Sequence, residues 1–138
     1  MGEEKTIKLE KVIELNQALD LVIDNTNLPG RLSYKLGRLK SRAEIVGQKF
    51  DEIRTRMIRE KYGMRLDNGD YKVPQERMIE FNHAIQEVLA VDETIRIPEF
   101  SFEEFEQVPG ISPRFFALFA QYFTGEQEEV ESELEKTA

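Results

Sequence analysis

Residues 32–57 read LSYKLGRLKSRAEIVGQKFDEIRTRM and carry the pattern that decides the fold. Apolar side chains recur there at alternating spacings of four and three residues, which is the a/d pattern of a coiled-coil-like helix. The repeat continues for more than three heptads, so it predicts a long helix that packs along a partner helix. We call its apolar members the seam: Leu32, Leu36, Leu39, Ala43, Val46, Phe50, Ile53 and Met57.

The long helix is expected to begin between Leu28 and Arg31, because Pro29 suits the first turn of a helix. Gly63 fits a C-cap, which places the end of the helix at Tyr62. A helix of this length spans about 48 Å at 1.5 Å per residue. Gly37 and Gly47 lie within it, and each lowers helix stability by up to about 1 kcal/mol relative to alanine. Each marks either a close approach of another backbone or a tolerated surface glycine.

A shorter helix precedes the long one and is its expected partner. Val12, Leu15, Leu19 and Val22 repeat by three and four residues, which predicts a helix from about Glu10 to Asp24 or Asn25. The two would form an antiparallel, coiled-coil-like hairpin. Because the first helix covers only about 22 Å, a third helix or a second copy of the chain is needed to cover the remaining seam, and we predict a homodimer or higher oligomer.

The rest of the chain predicts a third helix and minor β structure. Alternation in Thr6–Leu9 and Thr94–Ile97 predicts two short strands that can pair, with Pro98 restricting the second strand to an edge. Residues 64–73 read as a hairpin whose Asn68-Gly69 turn favours type I′. The third helix is expected from Pro74 to near Ala90.

Aromatic residues concentrate at the C-terminal side, where seven of the nine phenylalanines lie between residues 100 and 123. Ser112-Pro113 predicts the start of a short aromatic helix. The helix either caps the core or presents a partner surface; Phe115 and Phe119 can face inward while Phe116 and Phe123 face elsewhere. We predict one helical domain over residues 1–124 and an acidic disordered tail over residues 125–138. The partner-surface candidates are Phe115, Phe116, Phe119, Tyr122 and Phe123.

Charge is distributed unevenly along the chain, which has a net charge of −8. Residues 31–65 contain eleven Lys/Arg and four Asp/Glu, whereas residues 75–107 contain nine acids and two arginines. Such complementary blocks favour pairing within the chain or between copies. The alternative is a nucleic-acid-binding stripe along the long helix. Its members would be Arg31, Lys35, Arg38, Arg42 and Lys49.

Catalytic and metal-binding patterns are not found in the sequence. The chain has no cysteine and a single histidine, His83, beside Glu80 and Glu87. No zinc spacing, phosphate-binding glycine loop or catalytic triad pattern is present. We therefore predict a protein that is not an enzyme, with no catalytic, metal or cofactor-binding residues. No apolar run approaches the roughly 20 residues of a membrane span, and we expect a cytoplasmic location.

Six short motifs follow one another along most of the chain. They are Leu28-Pro29-Gly30-Arg31-Leu32-Ser33-Tyr34, Glu60-Lys61-Tyr62-Gly63, Asp67-Asn68-Gly69-Asp70-Tyr71, Glu80-Phe81-Asn82, Ile95-Arg96-Ile97-Pro98 and Ser112-Pro113. Their order resembles that of a family of small, uncharacterised, mainly helical proteins encoded by tailed bacteriophages. The resemblance implies a source and a class of protein, without an assigned activity. It implies a phage accessory, assembly or host-takeover factor in the host cytoplasm.

Together, these patterns predict a mainly α protein with a long-helix hairpin, a third packed helix, a minor β element and an aromatic C-terminal helix. The predicted function is protein–protein interaction, with a homo-oligomer favoured and a foreign protein partner left open.

Overall fold

The computed structural model describes residues 3–123, which are mainly helical and are arranged around one long helix, α2 (Gly30–Met57). This helix continues directly into a π-helical turn, Ile58–Tyr62. The predicted start and end of the long helix are therefore confirmed. The other helices are α1 (Leu9–Asp20), α3 (Met78–Leu89), α4 (Phe102–Glu106) and α5 (Pro113–Phe119); the strands are β1 (Glu3–Lys8), β2 (Met64–Arg65), β3 (Tyr71–Lys72) and β4 (Asp92–Ile97).

Gly63 ends the long helix for a different reason from the one the sequence suggested. Its φ is −94°, so it is extended and is not the left-handed cap residue of the prediction. Its N–H donates to the carbonyl oxygen of Ile58 at 2.6 Å, which closes the wide π-helical turn. A Cβ at this position would collide with that carbonyl oxygen. Glycine is therefore required by the close approach of the backbone.

The main core lies where α1 packs on the N-terminal half of α2. Apolar side chains of both helices are buried there, and β4 and the aromatic C-terminal residues complete the cluster. The sequence placed the end of α1 near Asp24, but the helix ends at Asp20 and is followed by turns. The buried core residues of the two helices are Leu9, Val12, Leu15, Ala18 and Leu19 of α1 and Leu32, Leu36, Leu39 and Ala43 of α2.

The two short strands that the sequence indicated pair with each other. β1 and β4 are antiparallel, with Thr6 opposite Thr94. The N–H of Leu9 donates to the carbonyl oxygen of Val91 at 2.8 Å, so the start of α1 is held beside the start of β4. Pro98 follows β4 directly, where a residue without an N–H cannot extend the ladder.

The second pair of strands forms the predicted hairpin with a different turn. Arg65 lies opposite Tyr71, and the N–H of Gly69 donates to the carbonyl oxygen of Leu66 at 3.0 Å. Gly69 has a φ of +90°, whereas Asn68 does not have a positive φ. A type I′ turn needs positive φ at both central residues, so the loop is instead a longer one closed by a left-handed glycine.

A smaller apolar cluster joins α3 and the hairpin to the C-terminal end of the long helix. Its buried members are Tyr62, Val73 and Phe81, with Met57 and Ile58 packed against them. The rings of Tyr62 and Phe81 meet edge to face, with their centroids 5.7 Å apart. The long helix therefore connects two separate apolar clusters, one near each end.

The aromatic end of the described chain belongs mostly to the core. Phe115, Phe119, Tyr122 and Phe123 are buried, and only Phe116 of the five partner-surface candidates remains half-buried. The prediction that Phe123 faces away from the core is therefore wrong. Phe123 pairs with the backbone of Phe100 and packs against several neighbouring rings, which removes it from solvent.

Local polar contacts cap the N-termini of the two short helices of this segment, α4 and α5. The side chain of Ser112 accepts a hydrogen bond from the N–H of Arg114 at 3.1 Å, as its predicted role of helix cap requires. Ser101 and Glu104 form a capping box at the start of α4. The predicted acidic tail, residues 125–138, lies outside the described residues, as does residue 124.

Candidate interaction surface

The seam of α2 is covered along only part of its length. Leu32, Leu36, Leu39 and Ala43 are buried, as a packed helix pair requires. Toward the C-terminus the exposure rises, and Ile53 is 40% exposed. We call Val46, Phe50, Ile53 and Met57 the open half-seam; its members other than Ile53 are half-buried.

Helix α1 is too short to cover the whole seam of α2. Its 12 residues span about 18 Å, whereas the 28 residues of α2 span about 42 Å. Val46 still packs against the main core and Met57 against the smaller cluster. Phe50 and Ile53 lie between these two residues and belong to neither cluster of the described chain. The part of the seam that packs against neither cluster is therefore the centre of the open half-seam.

Phe50 also lines a groove between α1 and α2 of about 440 Å³. Ile13 of α1 lies on the opposite side of this groove, so two half-buried apolar side chains face the same opening. Asn16 and Asp51 add polar groups to the lining. The groove adds a concave edge to the open half-seam.

Two exposed isoleucines were missed by the sequence analysis. Ile45 is 58% exposed and lies next to the seam, whereas Ile79 of α3 is 84% exposed. Neither residue falls on the heptad pattern, so periodicity gave no signal for them.

Basic side chains border the open half-seam. Lys49, Arg54 and Arg56 are exposed and lie next to seam positions. Across residues 3–123, none of the three takes part in an ion pair. The surface therefore combines apolar side chains with positively charged borders.

The predicted nucleic-acid stripe is divided by contacts within the chain. Lys35 binds Glu104, and an Arg42 guanidinium N–H donates to the carbonyl oxygen of Arg96 at 2.9 Å. Arg31, Arg38 and Lys49 remain exposed. Lys35 and Arg42 thus bind other elements, and Arg38 donates to the hydroxyl of Tyr34 on its own helix at 3.5 Å. The exposed cations do not form a continuous row.

Lys35 is largely enclosed. Its side chain is 18% exposed, its Nζ lies 3.0 Å from both carboxylate oxygens of Glu104, and the same Nζ lies 4.7 Å from the centre of the Phe100 ring. The pair borders a groove of about 690 Å³ near the start of α2, with exposed Tyr34 on its rim. Because Glu104 also caps α4, this contact fixes α4 on the long helix.

Tyr122 has an unusual environment for a polar group. Its hydroxyl is buried and, among the described residues, has no hydrogen-bond partner. Burial raises the pKa of Tyr122 from 10.0 to about 12, and the negative charge of Glu14 contributes to the increase. A group whose pKa is this high stays neutral at physiological pH, which suits a core position.

Metal-ligating side chains are not grouped in threes anywhere in residues 3–123. His83 lies on the surface, with Nδ1 3.5 Å from an oxygen of Glu87. In the same part of the chain, no helix has both the length and the apolar composition needed to cross a membrane.

Comparisons of the chain with protein-family models, with curated proteins and with solved structures found no match.

Proposed function

We propose that this protein is a non-enzymatic protein–protein interaction protein that acts as a homo-oligomer. The open half-seam is the surface that supports this proposal, because a coiled-coil-type pattern continues beyond the helix that covers it. In a two-fold dimer, two such half-seams would bury Phe50 and Ile53 against their counterparts. The single observation that carries the proposal is the exposure of Ile53, a member of the apolar heptad pattern.

Within each copy, α1 and α2 form the antiparallel, coiled-coil-like hairpin of the proposal. Lys40 lies 2.7 Å from an oxygen of Asp20 and donates to the side-chain oxygen of Asn16 at 2.6 Å. Further along α2, a Cβ at Gly47 would lie 3.5 Å from the side-chain nitrogen of Asn16. The contacts of α2 shift from Asp20 toward Asn16 of α1 as the residue number in α2 rises from 40 to 47. This reversed order supports the antiparallel arrangement.

Association through this surface is expected to be weak. Only about three helical turns are open, which is less than a standard interface of roughly 1,600 Å² needs. Affinities of such small interfaces correspond to Kd values of about 1 μM to 1 mM. Like charges at Lys49, Arg54 and Arg56 would oppose the approach of two copies, so salt should strengthen association.

The biological setting of the proposal comes from the sequence resemblance. Proteins of tailed bacteriophages that act as accessory, assembly or host-takeover factors work through protein contacts, and we place this chain among them in the host cytoplasm. The contacts of Lys35 and Arg42 make the nucleic-acid alternative the weaker proposal.

The test is the mass of the protein in solution, measured by light scattering across concentrations that span this Kd range. Ile53→Lys adds a charge at the centre of the open half-seam and is expected to reduce association at least about tenfold, equivalent to about 1.4 kcal/mol. Ile79→Lys is the matched control, because it makes the same exchange at an exposed position outside the seam. Equal association of the two variants would refute the proposed surface.

A further inference from the structure

We infer that the acidic segment 124–138 of the same chain docks on the open half-seam. The inference rests on the proposed function in one respect only: both assign a binding role to this surface. Docking within one copy would make the segment a competitor of self-association.

The surface has a line of basic residues along one side of α2. Lys35, Arg42, Lys49 and Arg56 recur at intervals of seven residues, and residues seven apart lie on the same side of a helix. The first two are bonded to other parts of the chain, whereas the last two are exposed and, within the described range, have no ion-pair partner. Arg54 borders the other side of the open half-seam. Positive charge is therefore available on both sides of the apolar strip.

Acidic residues of the same helix lie mostly away from this strip. At about 100° per residue, Glu44, Asp51 and Glu52 lie at least about 130° around the axis from the centre of the open half-seam, whereas the basic residues lie within about 90°. Glu44 and Asp51 line the groove on the side of α1, where Arg54 is also a lining residue. Glu60 follows in the π-helical turn between Arg59 and Lys61. The open half-seam and its basic borders thus favour a ligand that has both apolar and acidic side chains.

Residues 124–138 have this chemistry. They contain six glutamates and one basic residue, Lys136. Val130 and Leu134 are the apolar side chains of moderate size in this segment, and they are four residues apart. The segment therefore combines apolar side chains with negative charge, which complements an apolar surface with basic borders.

The length of the segment allows docking within one copy. Phe123, the last described residue, pairs with Phe100, whose ring lies 4.7 Å from the Nζ of Lys35. Val46 and Phe50 are 11 and 15 residues further along α2, about 17 and 23 Å. The seven residues from Phe123 to Val130 span up to about 25 Å when extended. Val130 can therefore reach the open half-seam from its own copy.

Paramagnetic relaxation measured by NMR on the full chain tests this inference. The sequence has no cysteine, so Ser132→Cys gives a single site for a nitroxide label. Protein carrying both the label and ¹⁵N is diluted with unlabelled protein, so that only effects within one copy are seen. We expect the amide resonances of residues 46–53 to lose most of their intensity in about 0.1 M salt. Recovery is expected in about 1 M salt, where the screening length falls from about 10 Å to about 3 Å.

Charge variants show whether the basic borders hold the segment. Lys49→Gln combined with Arg56→Gln is expected to restore the intensities. Arg65→Gln combined with Lys72→Gln is the matched control, because it removes two exposed basic residues of the hairpin and should leave the broadening unchanged.

The inference is overturned if residues 46–53 keep their intensity, or if the broadening appears at Arg31 and Arg38 instead. It is also overturned if broadening is seen only when the label and ¹⁵N are on different copies. Light scattering on the same samples separates the two proposals. Docking without self-association refutes the proposed oligomer alone, whereas self-association without docking refutes this inference alone.

Discussion

Replacement of Tyr122 by phenylalanine tests the structure of the core quantitatively. The side chain is 3% exposed, and its hydroxyl has no hydrogen-bond partner in residues 3–123. A buried polar group without a partner costs about 1–3 kcal/mol. Tyr122→Phe removes the hydroxyl and keeps the ring, which packs on Phe119 with centroids 5.4 Å apart. We therefore expect the free energy of unfolding to rise by about 1–3 kcal/mol at pH 7.

The same hydroxyl makes the stability of the natural chain depend on alkaline pH. In the folded chain the pKa of Tyr122 is about 12, against 10.0 as its ordinary value. The unfolded chain therefore loses this proton first, so stability is retained below about pH 10 and falls as the pH rises toward 12. The loss is about 1.4 kcal/mol at pH 11 and reaches at most about 2.7 kcal/mol above pH 12. Tyr122→Phe lacks this group and should not show the loss.

Urea unfolding followed by circular dichroism gives the required free energies at pH 7, 9 and 11. Other groups titrate in this range, so the relevant quantity is the difference between Tyr122→Phe and the natural chain at each pH. We expect this difference to grow by about 1.4 kcal/mol between pH 7 and pH 11. A difference that stays constant with pH, or a variant that is less stable at pH 7, would refute the assignment of a buried, unpaired hydroxyl.

Two further predictions concern stability. Gly37→Ala should raise the free energy of unfolding by up to about 1 kcal/mol, because a Cβ there would have open space and glycine is a poor helix former. Gly63→Ala should lower it, because its Cβ would collide with the carbonyl oxygen of Ile58; chemical denaturation of both variants checks the opposite signs. Glu104→Ala should cost about 1–3 kcal/mol because it removes the partner of Lys35 and a capping contact. Glu104→Gln should cost less, and equal losses for the two Glu104 variants would argue against the capping contribution.

Local sequence patterns were sufficient to predict most of the elements. The heptad spacing from Leu32 to Met57 gave the long helix, because a helix presents residues three and four apart on one face. Alternation in two short segments gave the strands β1 and β4, and Ser112-Pro113 gave the start of α5. Ser101 and Glu104 also carried a readable signal for α4, the serine and glutamate of a capping box, which the sequence analysis did not use.

Burial was less predictable, because it depends on which element lies opposite a residue. Phe123 looks like a surface residue when the helix is considered alone, yet the backbone pairing with Phe100 places it in the core. The same dependence divides the seam: Leu39 and Ile53 are equivalent in the heptad pattern, but α1 reaches only the first of them. The π-helical turn at Ile58–Tyr62 likewise results from a backbone contact that no side-chain pattern shows.

The measurement that tests the central claim most directly is the mass of the full chain by light scattering, in about 0.1 M and about 1 M salt. One copy has a mass of 16.1 kDa. We predict a mass that rises toward a dimer with concentration, rises further in the higher salt and falls in Ile53→Lys. A mass of 16.1 kDa at every concentration and in both salts would contradict self-association through the open half-seam.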